Sequence, residues 1–165
     1  MPVVPTTSNL DMAVRRWVAR GSEIRFDDQV IPHYSEKTPS RRGLYATVLG
    51  FDESQEGLNI NDQSPRNGFL RSAQTVVSTW SIQWFRKGAR DAARCFKAWA
   101  HSPAGVEFAD SQGLTLYTTG SIRRFDEVIR KEWEERAGLD ATIGFIATVL
   151  PPTCLLYTYP SPRDS

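Results

Sequence analysis

The sequence predicts an α+β fold: a mostly antiparallel or mixed β-sheet packed by two or three helices, with extended N- and C-terminal arms. Three patterns predict it. Residues 75–85, TVVSTWSIQWF, alternate with the period of two that a strand requires. From Gly88 the period lengthens to 3.6, and Ala89, Ala92, Ala93, Phe96, Trp99 and Ala100 form one apolar stripe. Ala137, Leu139, Ala141, Ile143, Phe145, Ala147 and Val149 then alternate again without a break. The 165 residues make one ordinary domain. It divides into an arm and helix (1–21), an α+β core (22–150) and a Pro-rich tail (151–165).

Residues 1–7 are Pro-rich and read as an irregular arm. Ser8 or Asn9 can cap a helix, since either side chain accepts from the orphan amides of a first turn. Leu10, Ala13, Val14, Trp17 and Val18 share one face at helical spacing, and Gly21 provides a stop. A short extended piece around Ile24 and Phe26 is expected next. IPHYSEKTPSRRG follows as a long loop. LYATVLGF (44–51) reads as a strand, and DESQEGLNINDQSPR (52–66) as an acidic, then polar loop. Loops of that length are usually functional or ordered by a partner.

In residues 75–85, Val76, Trp80, Ile82 and Trp84 share one face, and Val77, Thr79, Gln83 and Phe85 the other. Large residues on both faces predict a central strand covered on each side. The helix after Gly88 ends at Ser102-Pro103. Residues 103–111 predict a second short helix with proline at its start, where the missing amide does no harm, and Gly113 ends it. LTLYTT (114–119) alternates as a strand, with a turn at Gly120-Ser121. Residues 125–135 fit either class: Glu127, Lys131, Glu132 and Glu134 favour helix, while Val128 and Ile129 suit both.

The alternation from Ala137 to Val149 spans about 40 Å at a strand's rise, comparable with the diameter of a domain this size. The strand therefore crosses the body or overhangs it. Gly138 and Gly144 are natural places for a bulge or bend. Unpaired backbone at the strand's end is a sticky edge unless a neighbour covers it. The tail PPTCLLYTYPSPRDS reads as disordered, as cloning-derived, or as an arm lying on another surface.

Composition narrows the function classes. Twenty Lys and Arg against nineteen Asp and Glu leave a net charge of +1, which gives no reason to expect nucleic acid or a membrane as main partner. No window approaches a membrane span or a signal peptide, so the two cysteines are expected as reduced thiols, Cys95 buried in its helix. His33 and His101 have no metal-ligand spacing, and His101 suits the negative end of a helix. No phosphate loop, H-E-x-x-H, G-x-S-x-G or C-x-x-C is present. The run Glu132, Glu134, Glu135 beside Arg130, Lys131 and Arg136 reads as a solvated or interface face. The expectation is no enzyme, with no catalytic residues, cofactor or metal.

What remains is charged surface. Arg86, Lys87, Arg90, Arg94 and Lys97 gather on the polar side of the helix after Gly88, diluted only by Asp91. They can touch DNA phosphates, or pair with a neighbouring copy's acids, such as Asp52, Glu53, Glu56 and Asp62. Arg66 closes that acidic segment, and Arg136 and Asp140 lie on the last strand. These residues are the candidate interface.

Two blocks resemble the neck and tail-terminator proteins of tailed bacteriophages: STWSIQWFRKGARDAARCFKAWAHSPAGVEFADSQGLTLY and SIRRFDEVIRKEWEERAGLDATIGF. In that family a strand runs into an Ala-rich helix just after an aromatic and a glycine, and an Arg-bearing strand closes the sheet. PHYSEKTPSRRGLYATV is similar to the family's lead into its first strand. The match covers roughly residues 31–150 and departs from the pattern at Arg86-Lys87, inserted before Gly88. The resemblance implies a structural virion protein: a hexameric ring at the head–tail junction, assembled in the host bacterial cytoplasm. Its implied partners are itself, the tail tube and sheath protein, and the head–tail connector, with genomic DNA passing through the lumen and no membrane. A collar, gateway or connector subunit is the alternative role, and a nucleic-acid-binding regulator a further one.

Overall fold

The computed structural model describes residues 7–32, 43–66, 69–129 and 131–149, with backbone alone at 7–8, 28, 58–66, 69–72 and 148–149. The expectations for the N-terminal arm, the loop 33–42, His33 and the tail fall outside these residues. The elements are α1 (Thr7–Ser22), α2 (Phe26–Gln29), β1 (Val30–Pro32), β2 (Tyr45–Arg66), β3 (Phe69–Phe85), α3 (Ala89–Ala100) and α4 (Pro103–Ser111). There follow β4 (Thr115–Thr119), β5 (Arg123–Arg124), β6 (Glu127–Ile129), β7 (Glu132–Glu134) and β8 (Arg136–Val149).

The main sheet is mixed, in the order β1-β2-β3-β8-β4, with β5 also on β8. β1 runs parallel to β2, and the other pairs are antiparallel. The expected α+β class therefore holds. β3 is central, as its two-faced pattern predicts, but helices cover only one of its faces. Val76, Trp80, Ile82 and Trp84 are buried beneath α1 and α3, together with Ala137, Leu139, Ala141 and Ile143 of β8. The opposite face is partly sheltered by aromatic rings instead.

Each helix buries the stripe its spacing predicts. Leu10, Ala13, Val14, Trp17 and Val18 of α1 are all buried. Trp17 meets Phe96 of α3 edge-on at 4.8 Å, and Trp84 lies 5.5 Å from the same ring. Gly21 does not stop α1. A Cβ there would come within 2.6 Å of Trp99 and 2.7 Å of Phe96, so glycine permits the close crossing of α1 and α3. The helix ends one residue later. Glu23 takes the left-handed conformation at φ 56°, and the Ile24 amide returns to the Ala19 carbonyl at 3.1 Å, the bond of a Schellman cap. The N-terminal end also differs, because Ser8 and Asn9 lie inside the first turn rather than ahead of it.

Four further expectations are corrected. The segment around Phe26 is a helical turn, and extended structure begins only at Val30. Residues 52–66 are no loop: they continue β2 and pair with β3, with register shifts between Gly50 and Asp52, Glu56 and Ile60, and Asp62 and Arg66. Gly138 and Gly144 make no bulge, since β8 pairs with β3 in unbroken register from Arg136 to Val149. They seat rings instead: a Cβ at Gly138 would lie 3.1 Å from Phe125, and one at Gly144 about as close to Tyr117. Cys95 is exposed. One residue along a helix is a rotation of about 100°, which turns Cys95 outward while Phe96 packs inward. The ambiguous segment 125–135 resolves as an antiparallel hairpin, β6–β7, separate from the main sheet.

Candidate functional site

The extended β2–β3 hairpin is the most conspicuous product of this fold. The last core residue on β3 towards its N-terminus is Val76. Phe69–Thr75 therefore carry the ribbon about 20 Å further at a strand's rise. β1 flanks β2 only at Ala46–Val48, and β4 and β5 flank β8 only up to Gly144. From Leu49 onward on β2, and from Phe145 onward on β8, one backbone edge has no strand partner among the described residues. The overhang foreseen for the last strand is thus shared, with β2 and β3 extending furthest.

The expected acidic residues lie on this ribbon. Asp52, Glu53 and Glu56 are exposed, opposite Thr79, Ser78 and Thr75. Asp62 and Arg66 lie near the outer end, where the backbone register sets them opposite Arg71 and Phe69. Glu56 is tethered: the Tyr117 hydroxyl crosses above Gly144 and donates to its carboxylate at 2.9 Å. That bond favours the neutral phenol and raises the Tyr117 pKa, with a smaller contribution from desolvation.

Arg86 and Lys87 lie at the opposite end of the sheet, just past Phe85 and so about ten positions along β3 from Thr75, which faces Glu56, or about 33 Å. The Arg86-Lys87 insertion is accommodated by left-handed backbone at Arg86 (φ 79°) and Gly88 (φ 93°), which turns β3 sharply into α3. Arg86 lies 4.9 Å over the Tyr45 ring and donates to the Gly43 carbonyl at 3.2 Å. Gly88 has no side chain to cap α3. The Glu135 carboxylate does so, accepting from the amides of Gly88 at 3.2 Å and Arg90 at 3.1 Å. A carboxylate at a helix N-terminus is also favoured by the helix dipole. Arg94 sits 3.7 Å from Asp91, Lys97 donates to the Gly120 carbonyl at 3.0 Å, and Lys87 is exposed.

Arg136 and Asp140 have partners within their own chain. Arg136 pairs with Glu127, lies 3.4 Å from Glu134 and stands 5.2 Å over the Phe85 ring. Asp140 pairs with Arg123 at 2.9 Å. Asp126, which the sequence reading passed over, accepts the Arg136 amide at 3.0 Å and pairs with Arg124. The amide bond is the main cause of its lowered pKa. Glu135 shows in the sequence only as part of a charge run, since a cap supplied from across the fold leaves no local spacing to recognise. Trp133, at 76% the most exposed large apolar side chain among the described residues, likewise carries no signal in the sequence.

His101 sits at the C-cap of α3, as its sequence position suggests, and its ring meets the Thr119 hydroxyl at 2.8 Å. Among the described residues no group of His, Cys, Asp and Glu is arranged to hold a metal ion, and no helix is long and apolar enough to cross a membrane. The chemistry on offer is that of surfaces: an acidic ribbon with open edges, a basic shoulder, and an exposed hairpin.

No curated protein matches the chain. A family model for the phage neck terminator protein matches residues 8–153, taking in α1, which lay outside the resemblance read from the sequence. The match spans the helical layer, the whole described sheet and the ribbon, so the chain belongs to the phage neck terminator protein family, a family of structural proteins of the virion neck.

Proposed function

We propose that this chain forms a ring, hexameric by its resemblance, at the head–tail junction of a tailed bacteriophage. There it terminates the tail tube and joins it to the head connector, and genomic DNA passes through the lumen. Copies assemble in the host cytoplasm before incorporation into the virion. The observation that carries the reading is the ribbon, whose β2 edge beyond Val48 and β8 edge beyond Gly144 have no strand partner among the described residues. Open edges of this kind are templates for pairing with another chain, and a subunit that presents two of them can be satisfied by its neighbours.

Charge placement supports assembly through unlike surfaces. Glu56 lies opposite Thr75, and Arg86 and Lys87 follow Phe85 ten positions further along β3, about 33 Å away and too far to meet within one chain. A contact joining unlike patches propagates from copy to copy and closes when the rotation per copy permits a ring. Asp62 and Arg66 extend the same contact towards the ribbon's tip. Arg136 and Asp140, already paired internally, contribute by holding the end of the sheet in shape. Under this proposal the three parts are arm and helix 1–21, ring-forming core 22–150, and tail 151–165.

The test is functional. Purified chain is added to polymerising tube protein and imaged by negative-stain microscopy. Termination predicts shorter tubes with a ring at one end. Tubes of unchanged length with no cap would contradict termination, and a ring bound only to the head connector would assign the collar or gateway role instead.

A further inference from the structure

Three strands make the ribbon, in the order β2-β3-β8, and both outer strands are antiparallel to β3, so β2 and β8 run the same way. Along each strand the backbone groups alternate between the two sides, and the bonds at the sheet's end set the phase. The Arg86 amide donates to the Glu135 carbonyl at 2.8 Å, and the Gly120 amide to the Asp140 carbonyl at 2.7 Å. Even-numbered residues of β3 thus bond to β8, and even-numbered residues of β8 turn away from β3. Beyond Gly144 the outward groups are those of Ile146 and Thr148. On β2 the register shift between Gly50 and Asp52 reverses the parity, so the outward groups past it include those of Glu53, opposite Ser78. Neither length has a strand partner among the described residues. Each has open room beside it: a cleft of about 420 Å³ along Leu49–Glu53, and one of about 890 Å³ at Phe145 and Ile146.

The two edges differ in charge. Asp52, Glu53 and Glu56 are exposed on β2, whereas β8 reads FIATV from Phe145 to Val149. Two β2 edges brought together would set carboxylates against carboxylates, which destabilises a strand pair. The β8 edge carries none.

We infer that the free length of β2 in one copy pairs with the free length of β8 in the next. The inference deepens the ring reading and rests on it, naming the strands that join neighbouring copies. Closure fixes the sense of the pairing. A neighbour with flipped strands would need a half-turn, which cannot repeat around a ring, so β2 and the next β8 run parallel in a head-to-tail contact. β4 occupies the edge of β8 up to Gly144, so the copies are staggered along the strands. Three strands about 4.8 Å apart, tilted by about 35–45° as in closed barrels, require about three to four residues of stagger per copy. Within one copy Glu56 stands level with Ile146 through Thr75. The stagger brings Asp52 or Ser54 of the next copy level with Ile146 instead.

Disulfides test this on the full chain with Cys95 and Cys154 replaced by serine. Ile146→Cys is combined with Asp52→Cys or Ser54→Cys, which share its face of the ribbon, or with Glu53→Cys, which faces the other way. Within one chain β2 and β8 are two strand spacings apart, about 9.6 Å, beyond the roughly 7 Å that a disulfide spans between Cα atoms. The expected result under mild oxidation is a ladder of covalent dimers, trimers and higher species from Asp52→Cys or Ser54→Cys, and at least tenfold less from Glu53→Cys. Proline on an outward amide is compatible with an edge strand. Glu53→Pro and Ile146→Pro should therefore each weaken association at least tenfold in sedimentation, with circular dichroism unchanged. Glu53→Gln, which loses the charge and keeps the amide, should weaken it less. Oligomers without a ladder from any pair, or unchanged oligomers in both proline variants, would overturn this inference and leave the ring reading standing. Equal ladders from Glu53→Cys and Ser54→Cys would also overturn it. Monomers of the parent chain at every concentration, with no ladder, would overturn both.

Discussion

Replacing Ser22 with alanine tests how α1 is fastened to the sheet. The Ser22 hydroxyl, at the end of α1, accepts a 2.8 Å hydrogen bond from the indole N–H of Trp84 on β3, across 62 positions of sequence. Ser22 is 6% exposed and Trp84 fully buried, so water cannot replace the lost acceptor. A neutral hydrogen bond contributes about 0.5–1.5 kcal/mol net, and a buried donor left unpaired costs about 1–3 kcal/mol. Ser22→Ala should therefore destabilise the chain by about 1–2 kcal/mol. At this chain length that lowers Tm by about 2–4 °C per kcal/mol. The assay is urea unfolding at one fixed protein concentration, because assembly adds its own stability. A lower midpoint with unchanged slope is expected. Trp84→Phe removes the donor and leaves a cavity, so Ser22→Ala should cost about 1 kcal/mol less in that background. A coupling within about 0.3 kcal/mol of zero, the range of independent sites, would refute the reasoning.

Three further outcomes follow from the geometry. Gly105→Ala places a Cβ 2.0 Å from the Trp99 backbone carbonyl. The overpacking, about 1–3 kcal/mol, should exceed the helix-propensity gain of about 1 kcal/mol and lower the urea midpoint. Glu56→Gln removes the carboxylate that holds the Tyr117 proton, so the raised phenol pKa should fall towards its ordinary value of 10.0, read by NMR titration of labelled tyrosine. Asp126 has its carboxyl lowered from 3.8. Its stabilisation is therefore complete above that unfolded value and is lost as pH falls through the lower folded one. Protection of the Arg136 amide, relative to its intrinsic exchange rate, should fall on acidification below about pH 4, and Asp126→Asn should show the lower protection at neutral pH already.

The elements legible in the sequence are those with one buried face. The stripe from Ala89 to Ala100, the α1 face from Leu10 to Val18 and the alternation of β8 each report a core that sorts side chains by period. Residues 52–66 look like a loop in the sequence because that sorting stops. Asp52 through Gly57 are exposed on both faces of the ribbon, so neither face selects apolar residues. The hairpin at 127–134 is exposed for the same reason, and its glutamates favour helix while its pairing makes it strand. Gly138 and Gly144 signalled a special position but not its kind, since a seat for a ring needs the partner strand to be known. The acidic and basic sets were visible as composition. The separation of Glu56 from Arg86 and Lys87, and the engagement of Glu135 and Asp140 within the chain, depend on pairings 17 to 47 positions apart.

Sedimentation velocity of the purified chain over a hundredfold range of concentration tests the central claim most directly. The ribbon edges call for other copies, so the account predicts a discrete closed oligomer that grows at the expense of monomer as concentration rises. A single monomer boundary at every concentration, with the ribbon amides protected from exchange in that monomer, would contradict it.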